Sequence, residues 1–461
     1  MHGNFKMKKS PKKILIIGGT AAGPAAAAKA KRTDPGLEIT MFEQGEFISY
    51  GTCSMPFYVG GIIPDHRQII TFTPEEFEKE KGCAVKTFHR VDEIHPGKRK
   101  IVVSDLKLNK KIEYGYDRLL IASGARARVP DPVWLQAKNV FSIKHLQDSI
   151  SLKYFIEEKR PRKALILGGG FIGMEMAEAF SKHGIDITIL HKSALPMNTM
   201  ETESQKIILD ELSRHRVNFA GNTAVSAIQI KDGFATKVVT TGGEYEADLI
   251  LLALGFEPNA AIARSAGIRT GSSGGILTDP YMRTNIENIY AAGACAEIKN
   301  IVSNKHMYLP LGHIANKTGW IAGENMAGER SDFPGAVRTT AVKVFDLEVA
   351  SVGLRSGEAE SLGIHVITES VMAYSRSRSY PGAKPVFVKL VADRVSKRLI
   401  GADLLAEEGA AMRANIISVA IQNKMTVRDI SRLDLLYSPP FSPVWDPVIV
   451  AANQCLKKLS Q

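Results

Sequence analysis

Two segments of one design, 150 positions apart, constrain this chain more than anything else in it. The first is Lys13-Ile-Leu-Ile-Ile-Gly18-Gly-Thr20-Ala-Ala22-Gly23, followed by an alanine-rich stretch. An apolar run ends in a glycine turn and a helix begins, which is the cradle that binds a dinucleotide. Glycines let the backbone approach a pyrophosphate, and the amides and positive dipole end of the helix hold its charge. A second strand over Leu37–Phe42 ends at Glu43, where a carboxylate would bind the adenosine ribose hydroxyls. The cradle residues are thus Gly18, Thr20, Ala22, Gly23 and Glu43, with Thr20 at the usual second-glycine position.

The other segment, Lys163-Ala-Leu-Ile-Leu-Gly168-Gly-Gly170-Phe-Ile-Gly173-Met-Glu175, repeats the pattern in full, with Asp186–Leu190 as its second strand. Here the strand runs into His191-Lys192-Ser193 where an acidic ribose ligand would stand. A carboxylate there rejects a 2′-phosphate, whereas basic and hydroxyl groups hold one, so NADPH is expected over NADH. The competing reading is that His191 and Lys192 are simply solvated at a strand end. Two more buried strands reach glycine turns, at Ser123-Gly124 and at Gly255, where the chain would cross between two dinucleotide units and back.

With 44% hydrophobic and 23% charged residues, the 461-residue chain is ordinary globular material for about three domains. The opening Met1–Lys13 carries five lysines but no secretory apolar stretch, and reads as a flexible tail. No apolar run is long enough to span a membrane, so the cytoplasm is the expected address. The net charge of +11 is scattered without the aromatic interleaving of a nucleic-acid platform, and no nucleic-acid partner is expected. Cys53, Cys83, Cys295 and Cys455 show no CxxC or Cys/His ligand spacing, which speaks against structural zinc, any other metal centre and a disulfide scaffold.

Ser49-Tyr-Gly-Thr-Cys53-Ser-Met-Pro-Phe-Tyr-Val-Gly-Gly61 resembles the coenzyme A disulfide reductases, the single-cysteine branch of the FAD-dependent pyridine nucleotide-disulfide oxidoreductases. The segment Thr284–Glu297, containing Gly293 and Ala294, resembles the family's second FAD motif. Ala294 stands where the family has an aspartate that binds the ribityl chain, which weakens FAD binding without abolishing it.

The resemblance implies an α/β fold with two Rossmann-like units and an α/β dimerisation domain. The expected FAD-binding domain is 11–125 with 260–335, the NAD(P)-binding domain 126–259, and the dimerisation domain 336–461. It also implies a homodimer acting on a small-molecule disulfide or persulfide, with coenzyme A as substrate or as an adduct on Cys53. Lys29 and Arg32 share a helix face with i, i+3 spacing, and the resemblance places them and Ser49 against the coenzyme A phosphates; a solvated basic face is the alternative. Tyr380 and Tyr437 resemble tyrosines that reach the partner's cysteine, with core packing as the alternative.

Cys53 is expected at the start of a helix, whose dipole favours thiolate, with Pro56 in the first turn. With one thiol, the electron carrier is a mixed disulfide, a sulfenic acid or a persulfide. The sulfenic acid corresponds to an NAD(P)H oxidase or peroxidase. Against that branch, the peroxidases place a histidine in the first glycine turn where this chain has Ala21. A reading of another class is a redox-regulated flavoprotein binding module with little turnover.

Overall fold

The apolar runs ahead of the two glycine turns form the central strands of two parallel five-stranded sheets. In the computed structural model, residues 12–459 are described; Met1–Pro11, most of the expected tail, and the last two residues lie outside the described residues. The first sheet is ordered Ile289–Ala291, Arg118–Ile121, Lys13–Ile17, Glu38–Phe42, Ala84–Lys86. The second is ordered Asn218–Ala220, Asp186–Leu190, Lys163–Leu167, Leu249–Leu252, Val140–Ser142. Both central strands are buried except for the opening lysine, as a parallel strand covered on both faces must be. Each sheet also carries a three-stranded antiparallel meander, over residues 89–115 and 225–245.

The two crossings lie side by side. Ala125–Ala127, after the Gly124 turn, pairs antiparallel with Phe256–Pro258, after the Gly255 turn. Ser123 Oγ donates to the Asn259 carbonyl at 2.6 Å, and Asn259 Nδ2 returns a bond to the Ser123 carbonyl at 3.1 Å. Strand Ile289–Ala291, distant in sequence, then completes the edge of the first sheet.

The C-terminal region is a five-stranded antiparallel sheet, Thr339–Val344, Leu347–Gly353, Leu399–Ala406, Pro385–Asp393 and Val366–Tyr374 in spatial order. The helices Ala410–Gln422 and Pro447–Leu459 share its buried core. A buried polar cluster joins it to the second cradle unit. The Lys389 ammonium lies 3.2 Å from Glu201 and 2.6 Å from Glu203, and Asp403 accepts the Glu201 amide at 2.7 Å. Lys389 and Glu201 are each 7% exposed, so removing one partner alone would strand a buried charge; the cluster fixes how the two units dock. No helix among the described residues is long and apolar enough to cross a membrane.

Candidate active site

Both cradles are shaped for a phosphate-bearing ligand. A Cβ on Gly23 would stand 1.9 Å from the Gly18 carbonyl oxygen, and one on Gly173 would stand 2.1 Å from that of Gly168. Only glycine lets helix and strand approach this closely. The helices Ala22–Thr33 and Phe171–Ser181 both begin without a side-chain cap and without an acidic residue in the first turn. Their first amides are therefore unclaimed by protein side chains, which suits an incoming anion.

At the first cradle Glu43 is held in place: Oε2 accepts from the Gly19 amide and Oε1 from the Gly45 amide, both at 2.8 Å. Glu43 and Gly18 open onto a cavity of about 340 Å³, lined also by Thr20, Ala22, Thr52, Ser123, Gly124, Lys144, Gly293 and Ala294. The Thr20 position faces the buried phenol of Tyr50, whose pKa burial pushes up to about 12. Helix Gly312–Ala327 also starts uncapped, and its Gly312 lines the same cavity. The residues present fit a flavin dinucleotide; the Ala294 side chain supplies no acceptor to it, and the Gly293 amide is already bonded to Thr318 Oγ1.

At the second cradle the position matching Glu43 is His191. The Gly169 amide donates to His191 Nδ1 at 3.1 Å, as the Gly19 amide does to Glu43. His191 Nε2 lies 3.4 Å from Asn198 Oδ1, and Asn198 Nδ2 donates to Ser193 Oγ at 2.9 Å. Lys192 is exposed beside them. Asn198 had no sequence signal, since it reaches the site only through the following loop.

Cys53 is exposed, whereas Cys83, Cys295 and Cys455 are buried. It does not begin the α-helix as expected. It sits in the 3₁₀ turn Thr52–Ser54, and the helix proper is the short Met55–Val59, with Pro56 in its first turn. That helix is anchored at the junction of all three units: Met55 and Val59 share one buried core with Met174, Met176 and Phe180 and with Val342 and Val344. Gly60 ends it where a Cβ would stand 3.0 Å from Ala179 Cα, so the Cys53 turn and its helix are pressed against helix Phe171–Ser181.

Two residues, one in the cavity and one beside the Met55–Val59 helix, escaped sequence reasoning. Lys144 lines the cavity, its pKa lowered by burial while Asp148, Cys53 and Glu43 partly restore it. Nothing in the run Phe141–Leu146 marks it; only the fold brings it near Cys53. Glu175 stands two residues after Gly173, the last glycine of the Gly-x-Gly-x-x-Gly run, and lines a small crevice with Pro56, Phe57 and Gly60. Burial, reinforced by Glu178, raises its carboxyl to about 7. A carboxyl raised above its usual 4.5 costs native stability once it ionises, so this cost is absent at low pH and grows as pH rises towards 7. Glu175→Gln is therefore expected to raise Tm by about 2 °C at pH 8.5, with the gain shrinking towards pH 5, as thermal melts at both pH values would show. An equal shift at both ends would show that ionisation is not the cause.

Lys29 and Arg32 do share a face. Lys29 Nζ pairs with Glu324 at 2.7 Å and lies 4.5 Å from the Trp320 ring centroid, while Arg32 lies 4.8 Å from the same ring. Arg32 has no carboxylate partner among the described residues. Ser49 takes a left-handed φ of 46°, its amide bonded to the Gly19 carbonyl, which ties the loop before Cys53 to the first cradle. Tyr380 and Tyr437 are 40% and 52% exposed, so neither is a core residue. Their loops are joined by a bond from the Ser377 amide to the Pro439 carbonyl. Buried Arg413 locks both, donating to Asp446 at 2.8 Å and to the Ser375 carbonyl at 2.8 Å. Around Tyr437, Leu436, Phe441, Val444 and Trp445 are each more than 60% exposed.

Comparison with known proteins matches residues 12–319 to the pyridine nucleotide-disulphide oxidoreductase model and 339–447 to that family's dimerisation domain. An NAD(P)H sulfur oxidoreductase (CoA-dependent) of Pyrococcus abyssi is 36% identical, covering 97% of this chain and 99% of its own. A coenzyme A disulfide reductase of Staphylococcus epidermidis is 29% identical over 93% of this chain and 96% of its own. The solved NAD-dependent persulfide reductase from A. fulgidus superposes with a TM-score of 0.93 at 33% identity, covering 97% of this chain and 84% of that one. With both cradles, the cavity and the lone exposed thiol in place, these matches show that the chain belongs to the FAD-dependent pyridine nucleotide-disulphide oxidoreductases.

Proposed function

We infer that this protein uses NAD(P)H to reduce coenzyme A disulfide, or a related CoA persulfide or polysulfide, through Cys53. The observation that carries the reading is the placement of one exposed thiol in a turn adjoining the cavity, at the junction of both cradles, with the other three thiols buried. Relatives matching nearly end to end are named for CoA-dependent sulfur reduction and for coenzyme A disulfide reduction.

When bound, FAD supplies the two-electron relay between nicotinamide and sulfur. The first cradle would hold it through Gly18, Thr20, Ala22, Gly23, Glu43, Ser123, Gly124, Gly293 and Ala294. The second would hold the nicotinamide nucleotide through Gly168, Gly170, Gly173, His191, Lys192 and Gly255. The Cys53 thiolate attacks one sulfur of CoA–S–S–CoA, forming a Cys53–S–S–CoA bond and releasing one CoA thiolate. Two electrons originating in NADPH then cleave that bond, regenerating the Cys53 thiolate and releasing the second CoA. The net change is CoA–S–S–CoA + NADPH + H⁺ → 2 CoA–SH + NADP⁺.

Lys144 would stand near the sulfur anion that the exchange uses and regenerates. Arg32, over the Trp320 ring, would meet the CoA phosphates together with Lys29 and Ser49. Tyr437 lies in an apolar surface that a second copy would cover, with Tyr380 on the adjoining loop, and from there the two phenols would reach the partner's site and donate a proton to the departing thiolate. Full activity of a sedimenting monomer would overturn that role.

The test is anaerobic NADPH consumption with CoA disulfide and with CoA persulfide, followed by mass spectrometry of the Cys53 peptide from protein isolated without reductant. A CoA or persulfide adduct with rapid turnover is expected. Turnover with oxygen or peroxide alone, and a sulfenic acid at Cys53, would establish the oxidase reading instead.

A further inference from the structure

We propose that His191 is a proton-controlled selector between NADPH and NADH: neutral, it serves as a structural acceptor for the glycine turn, and protonated, it becomes a cationic ligand of the 2′-phosphate. This rests on the second cradle being the nicotinamide nucleotide site.

The geometry determines the resting state. A backbone amide can only donate, so the 3.1 Å contact from the Gly169 amide requires a lone pair on Nδ1. His191 is therefore neutral with its proton on Nε2, directed at Asn198 Oδ1. The equivalent contact in the first cradle uses a carboxylate oxygen of Glu43, which accepts from the Gly19 amide. Imidazole differs in one respect: on protonation Nδ1 becomes a donor, and two N–H groups then face each other across the turn. The ring must leave Gly169, and the positive charge it carries stands at the strand end where the 2′-phosphate of NADPH would lie.

The surroundings keep the neutral form dominant until such an anion arrives. Burial lowers the His191 pKa most, and the Lys192 charge lowers it further, opposed by the Asn198 bond. Lys192 is the charged group acting on the ring; Phe219 packs against it with centroids 5.9 Å apart, and the other neighbours are the Gly169 turn, Ser193 and Asn198. A dianionic phosphate at this place reverses the balance, so NADPH binding takes up a proton that NADH binding does not. Lys192 gives a pH-independent preference for the phosphate, and His191 adds to it on the acid side.

Titration calorimetry of NADP⁺ and NAD⁺ into the oxidised holoprotein, from pH 5.5 to 8.5 and in buffers of different ionisation enthalpy, tests this. His191→Asn is the comparison, because its Oδ1 can take the Gly169 amide yet cannot titrate, and the variant reports the titration of the phosphate alone. Wild type should exceed the variant in NADP⁺ affinity about 5- to 10-fold at pH 5.5 and less than about 2-fold at pH 8.5. Proton uptake on NADP⁺ binding near pH 6.5 should exceed that of the variant, with no such excess for NAD⁺. If both nucleotides bind and the wild-type to variant ratio is constant across pH, the selector is overturned while the nucleotide site stands. If neither nucleotide binds at any pH, the site assignment beneath it fails as well.

Discussion

Cys53→Ser is expected to leave a folded, yellow protein whose flavin is still reduced by NADPH but whose turnover of CoA disulfide or persulfide falls by on the order of 10³-fold or more. A serine hydroxyl offers almost no anion at neutral pH and cannot carry a disulfide. No other thiol can substitute. Cys83 and Cys455 are 1% and 0% exposed, and burial pushes both thiols up to about 11. Cys295 is also fully buried, raised by desolvation, with its sulfur turned to the Ile121 and Ala292 carbonyls. Stopped-flow flavin reduction, run beside steady-state acceptor assays, separates the two half-reactions. Wild-type acceptor turnover in Cys53→Ser, or equal loss in Cys83→Ser with its fold intact, would remove Cys53 from its role.

Gly23→Ala and Gly173→Ala should produce two different failures from one added methyl group. At Gly23 the methyl would stand 1.9 Å from the Gly18 oxygen, and at Gly173 it would stand 2.1 Å from the Gly168 oxygen. Neither obstacle is a side chain that can swing away, so the helix must shift off its strand and widen the turn. Overpacking of this kind costs about 1–3 kcal/mol or more. Gly23→Ala is expected to purify without colour, or to lose flavin on dilution, because the Ala294 side chain offers the cofactor no compensating hydrogen bond. Gly173→Ala should stay yellow yet lose NADPH binding by at least about tenfold. Absorbance at the flavin band and nucleotide titration read the two outcomes, and loss of flavin in both variants alike would deny that the cradles serve separate ligands.

The duplicated strand–glycine–helix units were legible because their cause is local. A backbone that must approach a phosphate needs glycine at fixed offsets, and a strand covered on both faces needs an unbroken apolar run; both leave marks within a dozen residues. Glu43 was legible for the same reason, since the strand ending at residue 42 sets its distance from the turn. The Cys53 segment was legible through resemblance, and its exposure agrees with a reactive thiol.

What the tertiary structure alone decided is which groups meet. Lys144 comes to Cys53, and Glu175 to the Met55–Val59 helix, because helices and turns distant in sequence converge there. Nor does a histidine at a strand end disclose its protonation state: His191 is an acceptor because the Gly169 amide points at it, and Lys29 is ion-paired because helix Gly312–Ala327 brings Glu324 to it. Sequence patterns record the periodicity that builds strands and turns, whereas charge, tautomer and partnership depend on distances of 3–4 Å across elements far apart in the chain, which only the packed fold determines.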